Sequence, residues 1–192
     1  MTSILEVEQL DTLSSNASST LTIGGTNTTT IAFGPNVTTT PSSLAMTPAF
    51  YVRLTTNQNV TSAAQTKVTL NDVTIDTNSC WDAVNYRFLP TVAGKYYIFG
   101  AVTCQSTSND VLQEAMSSFR LDGSRIITGS QTFNSSTYAS LYSATVSSII
   151  TFNGSTQYVE LWGRTQVSSG TAQFTPSHEF ATYMGGYRII GA

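Results

Sequence analysis

Charge is what this chain has least of. Only 10% of its 192 residues carry one, against roughly 25% in an average soluble protein. Lys67 and Lys95 are the only lysines, and no basic run exists that would neutralise phosphates. With a net charge of -3 and a pI near 4.9, the composition argues against nucleic acid as a partner. Histidine is scarcer still: His178 stands alone in Pro176-Ser177-His178-Glu179. Any nucleophile–base pair would have to use it, and a histidine in a polar run is ordinarily a surface side chain. The carboxylates are scattered and show no EF-hand spacing, no sequence feature marks a glycosidase-like pair, and no glycine-rich phosphate loop is present. The expectation is a protein that is not an enzyme, with no catalytic residue, no cofactor and no metal site.

Long apolar runs are missing too. No segment approaches the roughly 18 continuous residues of a membrane span, so membrane insertion is not expected. The N-terminal MTSILEVEQLDT has no basic region and no long apolar stretch, unlike a secretory signal peptide. The expectation is a chain made and assembled inside a cell, or one from which a leader was removed. Cys80 and Cys104 have no metal-like spacing, and their pairing stays open.

In place of charge there are hydroxyls: serine and threonine make up about 30% of the chain, beside 40% hydrophobic residues. A surface coated by hydroxyls and amides is common in extracellular or virion β-proteins. Within residues 11–47 the hydroxyl-rich sequence repeats in tens: DTLSSNASST, LTIGGTNTTT, IAFGPNVTTT. Leu13, Ile23 and Phe33 share one column, and Leu21 and Ile31 another. Each unit reads as a short strand followed by a Gly/Asn/Pro turn. One unit cannot bury its apolar side alone, and thin fibrous repeats usually need several chains around an axis. The segment therefore reads as a β-stalk, with Leu21, Ile23, Ile31 and Phe33 facing sister chains, or as a Ser/Thr-rich flexible linker. Before it, residues 1–10 form an apolar-acidic stretch. There Ile4, Leu5, Val7 and Leu10 read either as a peg into a partner protein or as a frayed terminus.

From residue 48 to 192 the pattern becomes a series of strands divided by polar turns. These are Phe50–Leu54, Thr66–Leu70, Val73–Asp76, Trp81–Phe88, Gly94–Cys104, Ser117–Leu121, Ser124–Thr128, Ser140–Phe152, Gln157–Arg164 and Tyr183–Ile190. Asp122-Gly123 and Asn153-Gly154 signal tight turns. Only Val111–Met116 suggests a helix. About ten strands predict an all-β jelly-roll sandwich. In Tyr86–Ala101, Pro90 fixes φ, and Gly94 suits a positive φ that other residues avoid. The strand after it, Tyr96-Tyr97-Ile98-Phe99, carries large side chains on both faces. If Tyr96 and Ile98 face the core, Tyr97 and Phe99 point outward, where an exposed aromatic patch marks an interface. The simplest cover is a second and third copy of the chain.

Four features in order resemble the C1q-type globular head, a trimeric jelly roll shared in outline with tumour necrosis factor-like proteins. Pro48-Ala49-Phe50-Tyr51-Val52-Arg53-Leu54 resembles its opening strand. Asn85-Tyr86-Arg87-Phe88, then Pro90 to Tyr97, resembles its central Y/F-x-F-x-P-x-x-G-x-Y-x-F signature. Leu121-Asp122-Gly123 resembles its N-G hairpin, and Tyr183-Met184-Gly185-Gly186-Tyr187 its closing F-x-G-Y strand. No Gly-X-Y run lies upstream, and Asn153-Gly154-Ser155-Thr156 replaces the family's G-D, which leaves a calcium site unsupported. The upstream repeats resemble instead those of bacteriophage and large-virus fibre or decoration proteins.

Together these resemblances imply a homotrimeric, non-enzymatic virion protein assembled in the host cytoplasm, of the capsid decoration or head-fibre type. Its N-terminus would anchor in a capsid or tail protein. The polar loops Gln105–Asn109, Ser130–Ser140 and Gln166–Ser177 would be free to meet a host-surface glycan or protein. The alternatives are a tail-fibre receptor-binding adhesin and a secreted, free C1q-like carbohydrate-binding module.

Overall fold

Alternation of large apolar and small polar side chains folds the described residues between Ala49 and Arg188 into two antiparallel sheets whose inner faces share one core. The computed structural model describes residues 46–134, 138–176 and 182–190. In chain order the strands are β1 (Ala49–Arg53), β2 (Gln58–Asn59), β3 (Thr66–Lys67), β4 (Asp72–Asp76), β5 (Trp81–Asp82), β6 (Arg87–Phe88), β7 (Gly94–Ser106), β8 (Leu112–Leu121), β9 (Ser124–Thr132), β10 (Leu141–Phe152), β11 (Val159–Val167), β12 (Ala172–Phe174) and β13 (Tyr183–Arg188). The first sheet runs β2-β12-β7-β13-β1-β4, with β10 along the other edge of β7. The second runs β5-β6-β11-β8-β9, with β3 also on β11. The predicted all-β sandwich is the architecture observed.

Each long strand sends every second side chain inward, as extended geometry requires. Tyr96, Ile98, Val102 and Cys104 of β7 meet Phe119 of β8 and Leu161 of β11 in the shared core, all at most 1% exposed. Between β8 and β9, Leu121 pairs with Ser124 across the two-residue turn Asp122-Gly123. Both turn residues have positive φ (50° and 80°), the twist-matched hairpin that an Asp-Gly pair favours. Gly94, at φ 145°, takes the backbone form expected of it.

Three expectations need correction. Val111–Met116 is not helical: residues 112–116 open strand β8, where Ala115 pairs with Thr165 on one side and Gln131 on the other. Gln113, Glu114 and Met116 favour helix locally, but two ladders and the burial of Leu112 and Ala115 outweigh that preference. Trp81–Phe88 is a hairpin rather than one strand, pairing Trp81 with Phe88 and Asp82 with Arg87. The Asp82 carboxylate accepts the amides of Val84 (3.2 Å) and Asn85 (3.0 Å) and so closes the turn. Third, the two polar loops after Gln166 and Ser130 are partly strand, as β12 and the end of β9.

Both cysteines are free and buried. Burial pushes the Cys104 thiol up to about 11. Its thiolate is therefore withheld from reagents while the fold is intact. Near neutral pH, a thiol reagent should label Cys104 only after denaturant is added, as mass spectrometry would show; fast labelling of the native protein would contradict this burial. An unfolded thiol ionises near its ordinary 9.0, so the unfolded chain loses that proton first. Stability should fall as pH rises from about 9 to about 11.

Candidate functional site

The outer face of the first sheet, away from the core, is where large side chains gather against expectation for a solvated surface. Register fixes the arrangement. In one row, Ile149 of β10 pairs with Tyr97 of β7, which pairs with Tyr187 of β13. In the next, Ser147, Phe99, Gly185, Tyr51 and Ile75 run across five strands. The third row holds Thr145, Ala101, Tyr183 and Arg53. Five rings therefore share one patch, with centroids 5.9 Å apart for Tyr97–Phe99, 5.9 Å for Tyr97–Tyr187, 6.3 Å for Phe99–Tyr183 and 5.6 Å for Tyr51–Tyr183.

Gly185 at the centre is what lets these rings close. A Cβ there would lie 2.8 Å from Phe99 and 2.9 Å from Tyr51, well inside van der Waals contact. The missing side chain turns a ridge into a hollow. Tyr97, Phe99, Gly100, Thr145, Ser147 and Tyr183 line an open depression of about 390 Å³ beside it. Burial, then the neighbouring Tyr183, holds the Tyr51 phenol above its ordinary pKa, so it remains a neutral hydroxyl.

The rim is apolar as well: Ile149 is 61% exposed, Ile75 48% and Tyr187 38%. Leaving such groups half wet forfeits part of the roughly 1.5–3 kcal/mol that full burial of each supplies, and contiguous patches of this sort mark interaction sites. Farther along β7 the same face turns polar. Gln173 there bonds Gln105 (3.1 Å) and Asn59 (2.6 Å) in a cross-strand amide ladder.

Tyr97 and Phe99 lie where the sequence places them, on the outward side of β7 with Tyr96 and Ile98 buried beneath. Leu21, Ile23, Ile31 and Phe33, and Ile4, Leu5, Val7 and Leu10, lie outside the described residues, as does His178. Sequence reasoning missed Tyr51, Tyr183, Tyr187, Ile75 and Ile149. Their signal was present: Tyr51 sits between inward Phe50 and Val52, and Tyr183 and Tyr187 flank inward Met184 and a glycine pair. Among the described residues, no three His, Cys, Asp or Glu side chains come together in a metal-binding group.

No protein-family model matches this chain, and neither does any curated protein. Among solved structures it is similar to murine APRIL, at a TM-score of 0.52 and 10% identity over 73% of this chain and 98% of that one. It is also similar to Eiger TNF from S. frugiperda, at a TM-score of 0.49 and 8% identity over 75% and 93%. The likeness to APRIL shows the fold class: an all-β, TNF-like jelly-roll sandwich. That is the fold implied by the C1q-type resemblance of residues 48–192.

Proposed function

We propose that three copies of this chain associate through the aromatic face of the first sheet, and that the trimer is a non-enzymatic virion structural protein of the capsid decoration or head-fibre type. The observation that carries the self-association is that face itself, with five rings and two exposed isoleucines on one sheet surface of a charge-poor domain. A threefold ring lets each copy bury the patch against its sisters in a closed, heterologous contact. Trimers are also what the C1q-type resemblance implies, and a stack of apolar decapeptides calls for several chains around the same axis.

In this reading residues 11–47 are the stalk, and residues 1–10 anchor it in a capsid or tail protein. The resemblance of the repeats to phage and large-virus fibre proteins supports the virion context. A tail-fibre adhesin would additionally need its head loops to bind a host glycan or protein. A free carbohydrate-binding module would need that activity without any particle.

Light scattering of the purified chain should give three times 20.6 kDa; a stable monomer overturns the self-association. Mass spectrometry of purified particles should find the chain, and deleting residues 1–10 should abolish its incorporation while leaving a trimeric head. Absence from the particle overturns the virion role. Unchanged incorporation of the truncated chain overturns the anchor.

A further inference from the structure

The outer face of the second sheet gathers an unusual share of the chain's few charges. Five of its eight cationic residues lie there, Lys67, Arg87, Arg120, Arg125 and Arg164, placed by the pairings of β3, β6, β8, β9 and β11. Three of them are matched by acids on the same face. Lys67 reaches Glu160 at 2.9 Å, Arg87 reaches Asp82 at 2.9 Å, and Arg164 pairs with Glu114. Glu160 is then occupied, because it also accepts the Trp162 indole at 2.9 Å.

Arg120 and Arg125 are left over, and they stand directly opposite one another across β8 and β9. Like charges in register across a ladder destabilise a sheet. Neither has a carboxylate partner among the described residues. In a chain of net charge -3, two cations here meet with no carboxylate among the described residues to answer them. Arg120 is moreover held ready. Its guanidinium lies 3.8 Å over the Trp162 ring, and one Nη donates to Gln65 at 2.5 Å, while its buried Nε has no hydrogen-bond partner. A fork fixed by stacking loses little freedom when it binds a planar anion.

We propose that Arg120 and Arg125 form a binding site for the carboxylate of an acidic saccharide. The guanidinium pair supplies charge-assisted donors of the geometry that a carboxylate accepts. The flanking Gln65 amide and the exposed Thr128 hydroxyl, one register row away on β9, offer neutral partners for sugar hydroxyls. The site lies on the sheet opposite the aromatic face, so it does not depend on how the chain self-associates.

Titration calorimetry of the full chain with polygalacturonate, a uronic-acid polymer, tests this against dextran as a neutral glycan and citrate as a free carboxylate. Polygalacturonate should bind and dextran should not. Arg125→Glu, on an exposed side chain, should weaken binding by at least roughly tenfold. Lys95→Glu, which makes the same charge change at an exposed position elsewhere, should leave it within about twofold. Arg120→Gln should also lose binding, with circular dichroism checking its fold. No binding of polygalacturonate overturns the proposal. So does equal weakening by Lys95→Glu, which would mark a diffuse charge effect, or citrate binding as tightly as the polymer, which would make the sugar irrelevant.

Discussion

Phe99→Asp is expected to convert a particle of three times 20.6 kDa into a folded monomer. The side chain points away from the core, and its neighbours are the rings of Tyr97 and Tyr183 and the bare backbone of Gly185. Replacing it therefore leaves the sandwich intact: circular dichroism should stay that of the parent. Around the proposed threefold axis, however, the change is made three times at one place. Three buried aromatic contributions of roughly 1.5–3 kcal/mol are lost, and three carboxylates are forced out of water toward one another, which costs several kcal/mol more unless they take up protons. Phe99→Leu keeps apolar volume and should remain associated. Light scattering separates the outcomes. An aspartate variant that stays trimeric would place the contact on another surface.

The shape of that surface follows from two simple rules acting together. Strand geometry puts alternate residues on opposite faces, so a strand rich in large residues must present some of them outward. Antiparallel register then decides whether such residues from different strands meet or scatter. Here they meet: Tyr97 and Phe99 are neighbours along β7, but Tyr187 and the bare Gly185 join them only because β13 pairs with β7 at Tyr187↔Tyr97 and Gly185↔Phe99. A one-residue slip would send the same rings into the core. The TNF-like sandwich thus makes a candidate interface from residues as far apart in the chain as Tyr51 and Tyr187.

How much of this could be read from the sequence depends on the range of the interaction concerned. Local rules sufficed for the Asp122-Gly123 hairpin, for the positive φ of Gly94, and for the presence of large side chains on both faces of Tyr96 to Phe99, while the choice of face was left to the register. They failed where partners lie far away. The stretch from Leu112 to Met116 carries helix-forming residues, but its conformation is decided by β11 and β9. Tyr51 and Tyr183 lie 132 positions apart, so nothing local announced that their rings meet. The opposed arginines were only half hidden. The two-residue Asp122-Gly123 turn pairs Leu121 with Ser124 and therefore Arg120 with Arg125, but that neither meets a carboxylate among the described residues follows only from the placement of β3, β6 and β11.

Phe88→Ala should be the most destabilising single truncation in the head. Phe88 belongs to a strand of two residues, yet it is fully buried and stacks on Phe50 with centroids 4.0 Å apart. Its edge also meets Tyr96 at 5.7 Å and Phe152 at 6.0 Å. One ring of the second sheet thereby touches three strands of the first, and it ties the β5–β6 hairpin to the core. Removing it deletes the transfer energy of the ring and leaves a void that three rigid aromatics cannot collapse to fill, a loss of about 3–5 kcal/mol. Domains of this kind have only roughly 5–15 kcal/mol to lose. Because association would add concentration-dependent stability, the comparison belongs in the Phe99→Asp background, where urea unfolding reports on one sandwich at a time. There Phe88→Ala should lower the midpoint sharply at unchanged slope, while Phe88→Leu recovers much of the difference. A loss under about 1 kcal/mol, the scale of an ordinary surface substitution, would mean that this ring does not join the two sheets.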